Sequence, residues 1–156
     1  MTLGVMWVRH YGQDSSELVA VTDSRVAGGK VWDQCPKLFP LLRGDAVLSF
    51  AGETDYAYPM VQHAISALSL RESSVKRHHT LEATRGYLTR LLNHVLESVD
   101  LSGLSAVSTG EAAFLVLGGY SWMTERWIMW TLKWNPGRGT FSHSTLRARN
   151  PGQRGV

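Results

Sequence analysis

Cysteine is nearly absent: Cys35 is the single one in 156 residues. One thiol excludes an intramolecular disulfide and suits a reducing compartment. Cys35 itself reads as a small core residue where a strand begins. Long apolar runs are missing too. None approaches the roughly 18 residues that a membrane-spanning helix requires. The first residues lack the basic-then-apolar build of a secretory signal. These absences together lead us to expect a cytoplasmic protein that does not engage membranes. Metal-ligand spacing is also lacking. His78 and His79 fall in a loop, His63 and His94 stand singly on helices, and no carboxylate or thiol completes a set. No metal and no cofactor are expected.

A basic binding face is missing as well, although the formal net charge is +3. Arg147, Arg149 and Arg154 account for the excess: 16 basic residues less these three leave 13, against 13 acids. A nucleic-acid binder would carry its excess on the folded body. Here it falls in a Gly/Pro/Arg tail, 147–156, without apolar periodicity, which reads as frayed. The cluster Lys76-Arg77-His78-His79 reads as a solvated loop. No nucleic-acid partner is expected.

What is present is an ordinary soluble composition, 44% hydrophobic and 19% charged, and a length that makes one domain, 1–146. Residues 2–9 and 18–22 read as a strand hairpin across the turn chemistry of 12–16. Ala27-Gly28-Gly29-Lys30-Val31 reads as a loop. Short strands follow at 37–42 and 46–51, with Arg43-Gly44-Asp45 as the turn between them. The period then changes. Ala57, Met60, Val61, Ala64, Ile65 and Leu68 recur at threes and fours and predict a helix over 54–70, with Pro59 tolerated in its first turns. Leu81, Leu88, Leu91, Leu92, Val95, Leu96 and Val99 mark a second over 80–99. After a Ser/Gly-rich connection, strands are predicted at 112–118, 126–134 and 140–146. Both faces of 126–134 are largely apolar, which places that strand inside a sheet. Strands, two helices, then strands predict an α+β fold.

Four signals follow one another in fixed order. Thr2 follows Met1, Asp23 and Arg25 close the second strand, Lys37 heads the third, and Gly52 ends the strand before the first helix. In this order they resemble the first half of a proteasome β-subunit or HslV-like N-terminal-nucleophile hydrolase. The resemblance covers about 1–146 in element order and is concentrated in 2–55. It implies a four-layer αββα sandwich of antiparallel sheets, here incomplete at its C-terminal end. It implies peptide or amide substrates and a homo-oligomer, which we expect to form through helices 54–70 and 80–99. It also implies roles. Thr2, exposed by removal of Met1, is the nucleophile, its own α-amine serving as base. Lys37 lies beside it and lowers its pKa. Asp23 orients Lys37, Arg25 stands near that charge cluster, and Gly52 supplies backbone donors to the oxyanion. Two registrations of Met1-Thr2-Leu3-Gly4 stay open. With Thr2 on the nucleophile's place the chain is a threonine peptidase or amidase. With Met1 there it is a silent structural or interaction subunit. Read without the resemblance, Asp23 and Lys37 make a structural ion pair at a sheet end.

Overall fold

The structure is a computed structural model that describes residues 3–12, 15–28, 30–76, 78–99 and 113–146. Its elements run β1 (Gly4–Tyr11), β2 (Ser15–Thr22), β3 (Val26–Gly28), β4 (Lys30–Trp32), β5 (Leu38–Pro40), β6 (Ala46–Gly52), α1 (Thr54–Ser69), α2 (Glu72–Val75), α3 (Leu81–Leu96), β7 (Ala113–Ser121), β8 (Arg126–Asn135) and β9 (Thr140–Thr145). The class is α+β, and every strand pairing is antiparallel. Thr2 and the tail 147–156 lie outside the described residues.

The main sheet has the order β5-β6-β7-β8-β9. Alternation along its strands divides the side chains cleanly between two faces. Leu48 and Phe50 of β6, Leu115 and Leu117 of β7, and Trp130, Leu132 and Trp134 of β8 point one way and are buried. α1 and α3 cover that face. The buried residues of α1 are Ala57, Met60, Val61, Ala64 and Leu68, and those of α3 include Leu81, Leu88, Leu92 and Leu96, so the helical stripes meet the sheet as the periodicity predicts. β8 lies inside the sheet, which explains why both of its faces are apolar.

α3 opens on Thr80, whose hydroxyl accepts from Ala83 N–H at 3.1 Å. Its far end is tied to β9 by Asn93, which accepts from Phe141 N–H at 2.6 Å and donates to Phe141 C=O at 3.3 Å. An edge strand is thereby held by a side chain that mimics a neighbouring strand.

The β1–β2 ribbon packs on the other face. Its register runs from Gly4 opposite Thr22 to Tyr11 opposite Ser15. The ribbon comes so close at Gly118 that a side chain there would meet Met6 Sδ and, at 2.8 Å, Leu18 Cδ2. Trp127 Nε1 reaches Ser16 Oγ at 3.0 Å across the same interface. The described residues thus form a helical layer, a five-stranded sheet and a two-stranded ribbon.

Two segments read as loops are more than that. Ala27 and Gly28 belong to β3 and Lys30 and Val31 to β4, two strands that pair with Val26 opposite Trp32. In the turn Arg43-Gly44-Asp45 the arginine points inward: Arg43 is 3% exposed. It is ion-paired with Asp45 and donates to Thr84 Oγ1 at 3.0 Å, while Trp122 Nε1 donates to Asp45 at 2.9 Å. This pair binds the β5–β6 turn to α3 and to the β7–β8 turn.

Candidate active site

The first strand is extended by one residue beyond its ladder. Asp23 N–H donates to Leu3 C=O at 3.0 Å, and Leu3 N–H donates back to Asp23 Oδ1 at 3.1 Å. The carboxylate therefore stands at the mouth of β1 because β2 ends one residue earlier, at Thr22.

Lys37 comes to the same point from the residue before β5, which is the fifth strand of the chain and not the third, because the β3–β4 hairpin intervenes. Its Nζ lies 3.1 Å from Asp23 Oδ1 and 3.2 Å from Oδ2. The lysine side chain is 2% exposed and that of Asp23 31%. An ammonium taken out of water needs such a partner, or it would deprotonate or unfold its surroundings. Burial alone would raise the Asp23 carboxyl. The hydrogen bond from Lys37, then that from Leu3 N–H, outweigh it and hold the group below its ordinary value.

The β3–β4 hairpin explains how residues fourteen apart in sequence meet. It is inserted between them, and its base is closed by three bonds. Ser24 Oγ donates to Asp33 C=O at 2.6 Å, Arg25 Nε pairs with Asp33 at 2.6 Å, and Cys35 N–H donates to Ser24 C=O at 3.0 Å. The chain leaves β2, runs out along the hairpin and returns beside its starting point. Arg25 serves this closure. Both partners are about two-thirds exposed, and the guanidinium is held by Asp33 rather than by Asp23.

Gly52 ends β6, and only Glu53, the N-cap, separates it from α1. Leu38 pairs with Ser49 in the β5–β6 register, so Lys37 and Gly52 stand at the same end of the sheet. Gly52 has φ of 130°, a conformation that side-chain-bearing residues rarely adopt. Of the five residues singled out in the sequence, Asp23 and Lys37 are in contact, Gly52 shares their end of the fold, Arg25 braces the intervening hairpin, and Thr2 is outside the described residues.

Sequence reasoning missed the role of Leu3, whose main chain ties β1 to the carboxylate. It also missed Asp33. A signal for Asp33 exists: Arg25 and Asp33 flank Val26-Ala27-Gly28 and Lys30-Val31-Trp32 symmetrically about Gly-Gly turn chemistry. Among the described residues no group of three His, Cys, Asp or Glu side chains could hold a metal. Nor is any helix among them long and apolar enough to cross a membrane. No protein-family model matches the chain, and no curated protein matches it.

Proposed function

We propose that the chain is a proteasome-like N-terminal-nucleophile hydrolase that cleaves peptide or amide bonds with Thr2. One observation carries this reading: the Asp23 carboxylate binds the main-chain N–H of Leu3 and the buried ammonium of Lys37 at once. The residue before Leu3 is a threonine. A fixed positive charge thus stands at the start of β1, where a weak hydroxyl nucleophile would need one.

The chemistry follows from the residues. After loss of Met1, the α-amine of Thr2 takes the hydroxyl proton, and Oγ attacks the carbonyl carbon of the scissile amide. The tetrahedral oxyanion is stabilised by backbone donors, for which Gly52 is the candidate. The nitrogen leaves with the proton. Water, deprotonated by the α-amine, then attacks the Thr2 ester; the acid leaves and Oγ takes the proton back, which regenerates the hydroxyl and the free amine. Asp23 keeps Lys37 charged and in place throughout.

The same reading extends the three observed layers to a four-layer sandwich and accounts for an otherwise costly surface. Leu3, Val5, Trp7 and Val21 on the ribbon are 69, 50, 40 and 53% exposed. In a homo-oligomer or a complete sandwich they would be covered.

The test has two readouts. Intact-mass measurement of the purified protein should show Met1 removed, and a hydroxyl-directed electrophile should add once, at Thr2. An active preparation that retains Met1 would overturn the mechanism. Retention in an inactive one would favour the silent subunit, with Met1 in the nucleophile's place.

A further inference from the structure

A cavity of about 420 Å³ lies between the start of the β1–β2 ribbon and the facing surface of the main sheet. Three residues on its wall are chain neighbours of the ion-pair cluster: Gly4 follows Leu3, Thr22 precedes Asp23, and Leu38 follows Lys37. The cavity therefore begins where the proposed chemistry takes place. The rest of its wall is mainly apolar, with Ala51 and Val116 contributed by β6 and β7. One buried hydroxyl interrupts it. Ser49 is 8% exposed and makes no side-chain hydrogen bond among the described residues.

The cavity is partly open to water, where Val5, Val21 and Leu146 on its wall are exposed. It falls within the size range of ligand sites and shares their make-up, apolar walls with a few polar groups. A water's share of liquid volume is about 30 Å³, so there is room for roughly ten to fourteen heavy atoms. A cavity so weakly polar gives clustered water few partners.

We propose that this cavity receives an apolar group of about ten heavy atoms on the acyl side of the scissile amide, with Ser49 as the hydroxyl that meets its polar end. The inference rests on the hydrolase reading for what the group is attached to, and on the cavity alone for the group's size and character. Hydrophobic transfer makes the expected selectivity quantitative. Each methylene moved from water into such a site raises affinity about fourfold.

Simple amides test this without any catalysis. Octanamide, titrated into the full chain by calorimetry, should bind saturably with one molecule per chain. It should bind about fifteenfold more tightly than hexanamide, two methylenes shorter, while propanamide should give no measurable heat. 3-Phenylpropanamide, of similar size, distinguishes the sources: tighter binding than octanamide assigns the cavity to an aromatic peptide residue, weaker binding to an aliphatic acyl chain. Val116→Phe and Ala51→Leu each fill the cavity from a different strand, and each should abolish octanamide binding while the circular dichroism spectrum stays native. No saturable binding by wild type, equal affinity for octanamide and hexanamide, or unchanged binding in a folded cavity-filled variant would overturn the proposal. Lys37→Met separates it from the hydrolase reading, since octanamide should still bind when the ammonium is gone. A wild type that binds octanamide in this way, yet never hydrolyses the corresponding anilide and takes up no electrophile, would sink the hydrolase and leave the cavity's assignment standing.

Discussion

Asp23 and Lys37 show what a residue-level reading can reach. A carboxylate just past β2 and a lysine just before β5 are constrained by burial to find each other. Lys37 is nearly inaccessible, and no uncompensated ammonium is stable there. Asp23→Asn should therefore cost about 3 kcal/mol in chemical denaturation, the low end of the range for breaking a buried pair, because the carboxylate is partly open to solvent. The pH dependence has a definite sign. The carboxyl is held below its ordinary value of 3.8 in the folded state. Its stabilising contribution is complete above that ordinary value, and it disappears as pH falls from there through the depressed folded value. Wild type should lose stability over that acid window, and Asp23→Asn should be flatter across it. Activity offers a second measure. Lys37→Met should lower the rate of amide hydrolysis by about a hundred- to a thousandfold, as loss of a preorganised charge does. Thr2→Ala should abolish it with little change in stability. The double variant should be no worse than Thr2→Ala, because groups that act as a unit are not additive. A Thr2→Ala protein of full activity would remove the mechanism.

At the scale of elements, the helices and long strands were legible because their periods differ. Stripes at threes and fours marked α1 and α3, and apolar runs between turn-forming stretches marked β6 to β9. The β3–β4 hairpin was not legible, since three-residue strands are too short to display a period. The burial of Arg43 was hidden for another reason. Charges beside a glycine look solvated until the partners that satisfy them, Thr84 and Trp122, are brought from distant parts of the chain. Gly119 was equally silent. A Cβ there would lie 2.8 Å from both Ala46 Cβ and the Asp45 carbonyl oxygen. The carbonyl is backbone and cannot swing aside as a flexible side chain would. Gly119→Ala should cost about 1–3 kcal/mol by overpacking, read as a lowered denaturation midpoint. Arg25→Ala offers a contrast: an exposed pair contributes at most about 1 kcal/mol. If the hairpin's base positions Lys37 for catalysis, that variant should lose more in hydrolysis rate than in stability.

The whole molecule presents an imbalance between its two outer surfaces. The sequence led us to expect association through helices 54–70 and 80–99, on the strength of their apolar stripes. Those stripes face the sheet, and outward positions such as Asp55, His63, Ser66, Arg90, His94 and Glu97 are exposed and polar. The stripe could be read from periodicity, but what it would pack against depended on a sheet whose strands are far apart in sequence. The ribbon presents the opposite surface. Val5 stands opposite Val21, and Trp7 opposite Val19, and much of this outer face is open to water. A contiguous apolar surface of this kind marks an interaction site more often than a solvated one. Concentration-dependent association of the chain should therefore run through the ribbon. Val5→Lys with Trp7→Lys should shift sedimentation toward a species of 17.3 kDa, the mass of one chain. The stability cost should be no more than about 2 kcal/mol, from the two cross-strand pairs that are lost. An equivalent pair of changes on the outer helical face, His63→Glu with His94→Glu, should leave the association unchanged. If the helical pair dissociates the oligomer and the ribbon pair does not, the interface lies on the helices after all, and the ribbon's exposed face needs another explanation.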